Sequence, residues 1–171
     1  MFKVGDTLVH PSYGAGIVTN IRDLQYLGNE RKRYYSIQLL VEPETLVMVP
    51  LRNEDKVGLR PTLPQSRLSR VWQILRSQPR KLPSDHNERY AMLKEEIQTG
   101  SAFRIAEVLR DLTWRRDEKR RLTTRGKRLY DRSLEFLAGE IAAAEGEEVD
   151  AAEAQISGTL SESLAAAEEE G

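Results

Sequence analysis

The sequence contains no cysteine and only two histidines, His10 and His86. That excludes disulfides, thiolate nucleophiles and zinc-thiolate sites together, and it leaves almost no soft ligand for a transition metal. No metal and no cofactor is expected. A run of about eighteen apolar residues is also missing, as is a basic-then-apolar leader, so no membrane span or signal peptide is readable. The expectation is a soluble, cytoplasmic protein with no membrane partner. Asp85 and His86 are adjacent, yet no serine or cysteine elbow and no scaffolded carboxylate pair accompanies them, so a hydrolase finds little support. Gly14-Ala15-Gly16 lacks the flanking pattern of a phosphate-cradling loop and reads as a turn.

One further absence is regional. Residues 133–171 hold no lysine or arginine against eleven Asp/Glu, a net of −11. Residues 61–132 carry eighteen basic and nine acidic side chains, a net of +9, while residues 1–60 are near neutral at +1. The whole-chain charge of −1 therefore hides a basic middle and an acidic end. A basic segment is the footprint of a polyanion partner, because neutralising phosphates releases their condensed counterions. The acidic end either completes the helical core or limits non-specific DNA binding. Arginine outnumbers lysine 19 to 7, which favours planar and phosphate recognition.

At 171 residues the chain has room for two small domains, each with a modest core. Val4, Thr7 and Val9 form a short strand with imperfect alternation, ended by Pro11, and the glycines at 14 and 16 let the chain reverse. Ile17, Val18 and Ile21 start a second strand. Leu27-Gly28-Asn29 makes a hairpin turn into Tyr34–Leu40, residues 41–45 turn into Leu46–Pro50, and Val57–Arg60 is a last short strand. Five short strands in sixty residues predict a small, partly open SH3-like or Tudor-like barrel. Such a barrel suits a protein partner, and Leu46–Pro50 could extend a partner's sheet if it lies at an edge.

Beyond a stiff link at residues 61–66 the period changes. Leu68, Val71, Trp72 and Leu75 mark one amphipathic helix, and Tyr90, Leu93 and Ile97 a second, capped at Ser84 or Asp85 and ended at Gly100. Ile105, Val108, Leu109 and Leu112 mark a third, capped by Ser101. Leu129, Leu134, Leu137 and Ile141 mark a fourth, starting near Thr123 or Thr124 and ended at Gly146. Val149, Ile156, Leu160 and Leu164 suggest a weaker fifth. Trp72 and Trp114 are expected in the core. The fold class is α+β: a small Tudor/SH3-like barrel over 1–60, the link at 61–66, and a compact all-α domain of about five helices over 67–171. The basic run Arg115–Arg121 and Arg125–Arg128 spans a helix junction and forms a candidate phosphate-binding corner.

In order and spacing, Phe2-Lys-Val-Gly-Asp-Thr7, His10-Pro11, Tyr13-Gly-Ala-Gly-Ile17, Val47-Met-Val-Pro50, Val57-Gly-Leu-Arg60, Arg89-Tyr90, Ala106–Leu112, Trp114-Arg-Arg-Asp117 and Gly126-Lys-Arg128 resemble the CarD/CdnL family of bacterial transcription regulators. The resemblance implies a non-enzymatic protein that is monomeric when free and joins the nucleoid through RNA polymerase. Its barrel would bind the polymerase β subunit through Leu24, Gln25, Tyr26, Leu46, Val47, Met48, Val49 and Pro50. Its helices would contact promoter DNA, largely without sequence preference, at the upstream edge of the melted region. The residues matched for that contact are His86, Arg89, Lys127 and Arg128, with Arg121 and Arg125 added on charge. His86 stands where relatives carry a tryptophan wedge, and Leu24 and Met48 stand where some carry arginine. The competing class is an RNA- or ribosome-binding module built from the same barrel and basic helices.

Overall fold

The computed structural model describes residues 1–25, 28 and 30–171. Five strands, β1 (Thr7–His10), β2 (Gly14–Leu24), β3 (Lys32–Leu39), β4 (Leu46–Pro50) and β5 (Arg60–Pro61), make one antiparallel sheet in the order β4-β3-β2-β1-β5. This is the small Tudor-like unit expected. Leu27 and Asn29 of the expected hairpin turn lie outside the described residues.

The imperfect alternation of the first strand has a physical cause: β1 is covered on both faces, so consecutive residues are both apolar. Leu8 faces the barrel interior with Val18, Tyr35, Ile37 and Val49, while Val9 joins Ala15 in a cluster with Leu134, Leu137, Ala138 and Ile141 of the helices. The sheet and the helices thus share a core. The two glycines of the turn do different jobs. Gly14 has φ +86° and makes the reversal, whereas Gly16 sits inside β2, where an added Cβ would lie 2.5 Å from Ile37 and 2.9 Å from the Gln38 carbonyl. Gly16 is needed for close strand approach.

Between β4 and β5 the expected strand over Val57–Arg60 is corrected. A 3₁₀ turn (Leu51–Asn53) leads into a one-turn helix, α1 (Glu54–Val57), and only Arg60–Pro61 pairs, with Val9 and Leu8. Side chains explain the difference. Tyr35 Oη donates to Glu54 Oε2 at 2.6 Å and accepts from the Phe2 N–H at 3.2 Å, which pins α1 against the barrel. Burial and the Glu54 carboxylate push the Tyr35 phenol above its ordinary pKa.

Five helices follow: α2 (Gln65–Arg76), α3 (His86–Gln98), α4 (Ala102–Lys119), α5 (Thr124–Glu145) and α6 (Val149–Glu170). Their starts are built from side-chain caps. Asp85, Ser101 and Thr123 accept from the N–H of Glu88, Arg104 and Gly126, satisfying donors that a helix start leaves open. The acidic end is not a loose tail, since Ala152, Ile156 and Leu160 of α6 recur every four residues and bury in the main cluster with Leu68, Val71 and Leu75 of α2. Trp72 is only half-buried against that cluster. Trp114 is also half-buried, its enclosed Nε1 lacking an acceptor among the described residues.

Of residues 61–66, Pro61 ends β5, and Gln65 and Ser66 open α2. Arg60 and Glu140 clamp this connection. Glu140, 1% exposed, accepts from Arg60 Nη1 and Nη2 at 2.6 and 2.8 Å and from the Leu63 N–H at 2.9 Å. Arg60 also donates to the Gly100 carbonyl at 2.7 and 3.1 Å, so one guanidinium ties β5 to two helical segments.

Candidate nucleic-acid interface and edge strand

The basic middle converges at the junction of α4 and α5. Arg115 and Lys119 end α4, Arg120 leaves it with φ +68°, and Arg121, Leu122 and Thr123 lead into α5. A cleft of about 530 Å³ is lined there by Arg115, Lys119, Arg121, Thr123, Thr124 and Tyr90. The Tyr90 ring organises the site. Its hydroxyl hydrogen-bonds Thr123 Oγ1, Arg125 stacks over the ring at 4.9 Å, and His86 meets it edge-on at 6.5 Å. Arg125 further donates to Asn87 Oδ1 at 3.3 Å, linking the first turns of α3 and α5.

Charge is left open here. The single ion pair within the cluster among the described residues is Lys119–Glu118 at 3.7 Å, and Arg115, Arg116, Arg120, Arg121, Arg125, Lys127 and Arg128 form none. No acidic residue occupies the first turn of α5. Arg125, Lys127 and Arg128 in the first turns of α5 oppose its positive end, at a cost of about 0.3–1 kcal/mol each, whereas Arg116 and Lys119 lie favourably in the last turn of α4. An anion reverses the sign.

The residues expected to face DNA separate into distinct settings. His86 is exposed at the first position of α3, held by the Asp85 cap. Arg121, Arg125, Lys127 and Arg128 are exposed. Arg89 is 4% exposed, its Nη1 donating to the Pro83 and Ser84 carbonyls at 3.1 and 3.2 Å and its guanidinium lying over Tyr90. Its charge braces the loop before His86. That loop has a second anchor, Arg80, which donates to Glu96 at 2.7 and 2.8 Å and to Asp111 at 2.8 Å. The Glu96 hydrogen bonds, opposed by burial and reinforced by Asp111, hold the Arg80 guanidinium above even its high ordinary pKa. Arg110 donates to Asp111 and, at 2.7 Å, to Ser77 Oγ, closing the network.

On the sheet, β4 is an edge strand, paired with β3 from Leu46↔Gln38 to Pro50↔Tyr34. Val49 is buried and Val47 packs on the barrel cluster, while Leu46 is 53% exposed and Met48 and Pro50 are half-buried. Leu24 ends β2 opposite Lys32, half-buried, followed by exposed Gln25; Tyr26 lies outside the described residues. β3 runs between this strand end and β4.

These two surfaces sit within regions that match family models. Residues 2–63 match the CarD-like/TRCF RID domain, and residues 70–157 match the C-terminal domain of CarD. A protein of Bacillus subtilis (strain 168) named "Putative transcription factor YdeB" is 32% identical over 148 residues, which cover 85% of this chain and 94% of that protein. The chain belongs to the CarD/CdnL family. It is a transcription regulator, of a family not known for enzymes.

Within this CarD-family chain, the sequence pattern gave no place beside the basic junction to Tyr90, nor to Lys94 and Arg132, which line a groove with Arg128. Tyr90 read as one more apolar residue of α3, although Thr123 and Arg125 converge on it. Arg121, Arg125, Arg128 and Arg132 are spaced four, three and four apart, a helical stripe that could have signalled Arg132. Arg80 gives no local signal, since its partners lie 16 and 31 residues away.

Proposed function

We propose that this CarD-family chain is a non-enzymatic regulator of transcription initiation that tethers to the RNA polymerase β subunit and stabilises the open promoter complex. The observation that carries the reading is the cluster of cations around Tyr90, of which only Lys119 forms an ion pair among the described residues, on a body whose core is continuous with a sheet that has an open edge. The RID-domain match supports polymerase as the partner of that sheet. Edge strand β4 would supply main-chain groups to a strand of the β subunit, with Leu46 and Met48 as its apolar contacts. Leu24, Gln25 and Tyr26 would flank it.

Tethering raises the effective concentration of DNA at the helical face, so weak contacts suffice. Those contacts go to phosphates and duplex shape, with no base-reading helix, and little sequence preference follows. His86, exposed after a loop braced by Arg89 and Arg80, would present its ring to an unstacked base. Aromatic stacking is worth roughly 1–3 kcal/mol per base, and an imidazole presents less of it than an indole. About 1.4 kcal/mol of net stabilisation shifts the open-complex equilibrium tenfold.

The test is open-complex lifetime with wild type, His86→Ala, His86→Trp and Arg125→Gln, beside retention of each on immobilised β subunit. Arg125→Gln is expected to shorten the lifetime with retention unchanged, and His86→Trp to lengthen it. Leu46→Glu is expected to lose retention. Failure of the wild type to bind the β subunit, with capture of free RNA instead, would replace this reading by the RNA-binding one.

A further inference from the structure

The basic face does not stop at the helix junction. Between α3 and α5 runs a second groove of about 530 Å³, floored by Pro11, Ile97 and Leu129 and rimmed by Lys94, Arg128 and Arg132. Lys94 and Arg128 are exposed and form no ion pair among the described residues. Arg132, also exposed, donates to the Ser12 carbonyl of the β1–β2 turn. Asp131 precedes it in the chain, and Glu42 and Glu135 share a neighbouring cleft with it, yet Arg132 forms no ion pair with any of the three among the described residues. An apolar floor lets long cationic stems lie flat while their charged heads stand at the rim.

The other side of α5 has the opposite sign. The groove it makes with α6 and Val41 is lined by Asp131, Glu135, Glu148, Asp150 and Glu153. α5 therefore separates a cationic groove from an anionic one, with Arg128 and Arg132 on the first and Asp131 and Glu135 on the second. A polyanion crossing the junction at Arg125 can continue along only one side.

We propose that the α3/α5 groove carries the phosphate backbone of duplex DNA from the helix junction to the β1–β2 turn, with Lys94, Arg128 and Arg132 as its contacts. Arg125 to Arg132 spans about 10 Å at 1.5 Å per residue, which covers about three phosphates of one strand at 3.4 Å of axis per nucleotide. The acidic α5/α6 groove sets the track's limit, so the strand has one path and one end point beside Ser12. This rests on the DNA-binding reading above, and Arg125, which lies outside the groove, tells the two apart.

The experiment is anisotropy of a short fluorescein-labelled duplex titrated with full-length chain at several salt concentrations. Each phosphate contact contributes about 0.9 to the slope of log K against log salt. Lys94→Gln is expected to reduce the slope by about 0.9 and Lys94→Gln with Arg132→Gln by about 1.8, equally on unrelated duplex sequences, while Arg132→Lys keeps the wild-type slope. Lys94 is exposed, so its single variant tests the track even if loss of Arg132 disturbs the turn. A wild-type slope in Lys94→Gln and in the double variant, with Arg125→Gln still reduced, overturns the track and leaves the junction reading intact. An unchanged slope in Arg125→Gln as well overturns both. Displacement of duplex by poly-glutamate, with the slopes unchanged by the substitutions, assigns the groove to an acidic peptide and overturns the proposal too.

Discussion

Replacing Glu140 by alanine should loosen the sheet and the helices together. Glu140 is buried in α5 and accepts three hydrogen bonds, two from Arg60 and one from the Leu63 N–H. Its loss strands a guanidinium and a main-chain donor at once. Removing one partner of a buried ion pair costs about 3–5 kcal/mol. Arg60 is 30% exposed and keeps the Gly100 carbonyl, so water recovers part of this and the expected loss lies at the lower end, about 3 kcal/mol. For a chain of this size that is a fall in Tm of about 6–12 °C. Urea denaturation followed by tryptophan fluorescence reports the helices, since Trp72 and Trp114 lie in α2 and α4. Hydrogen exchange at Leu8 and Val9 reports the sheet. Both should weaken in Glu140→Ala, and pairing Glu140→Leu with Arg60→Met should recover most of the loss by leaving no charge unpaired. A loss below about 1 kcal/mol, or β1 amides that exchange as in wild type, would refute the clamp.

Three other outcomes follow from local geometry. Gly100→Ala places a Cβ 3.1 Å from the Pro11 Cα at φ +70°, so thermal unfolding should show a loss of at least about 1–2 kcal/mol; an unchanged Tm contradicts it. Arg120→Gly relieves a left-handed backbone worth about 1–2 kcal/mol and gives back about 0.4–1 kcal/mol to a freer unfolded chain, so stability should rise by about 0.5–1 kcal/mol while duplex binding weakens, and a lower Tm would count against strain there. Burial pushes the His10 imidazole below its ordinary pKa, and its Nδ1 accepts from the Ser12 N–H at 3.0 Å. Below about pH 6.5 the unfolded chain then takes up a proton that the folded chain resists, so stability falls as pH drops through that window. His10→Gln should flatten this slope, and an identical slope in both proteins would exclude His10 as its source.

Much of the fold was legible because its signals are local. The caps at Asp85, Ser101 and Thr123, the helical spacing of Leu68, Val71 and Leu75, and the reversal at Gly14 each depend on a few neighbouring residues. The site was legible as charge and less so as position. Arg121, Arg125, Lys127 and Arg128 are exposed around the junction, but Arg89 is spent on two carbonyls, which no local pattern reveals. The strand expected at Val57–Arg60 became a helical turn because Tyr35, nineteen residues away, holds Glu54.

The sequence by itself determined a barrel followed by helices, a basic middle beside an acidic end, and the absence of cysteine chemistry. Periodicity and charge are properties of one segment, and they survive without knowing what that segment touches. Tertiary structure decided which cations remain available. Arg60 is claimed by Glu140 across 80 residues and Arg80 by Asp111 across 31, while Arg125, Arg128 and Lys94 meet no carboxylate within ion-pair distance among the described residues. Only the folded chain brings Lys94 beside Arg132 and sets an acidic helix on the far side of α5, since partners distant in sequence meet only after packing has chosen them.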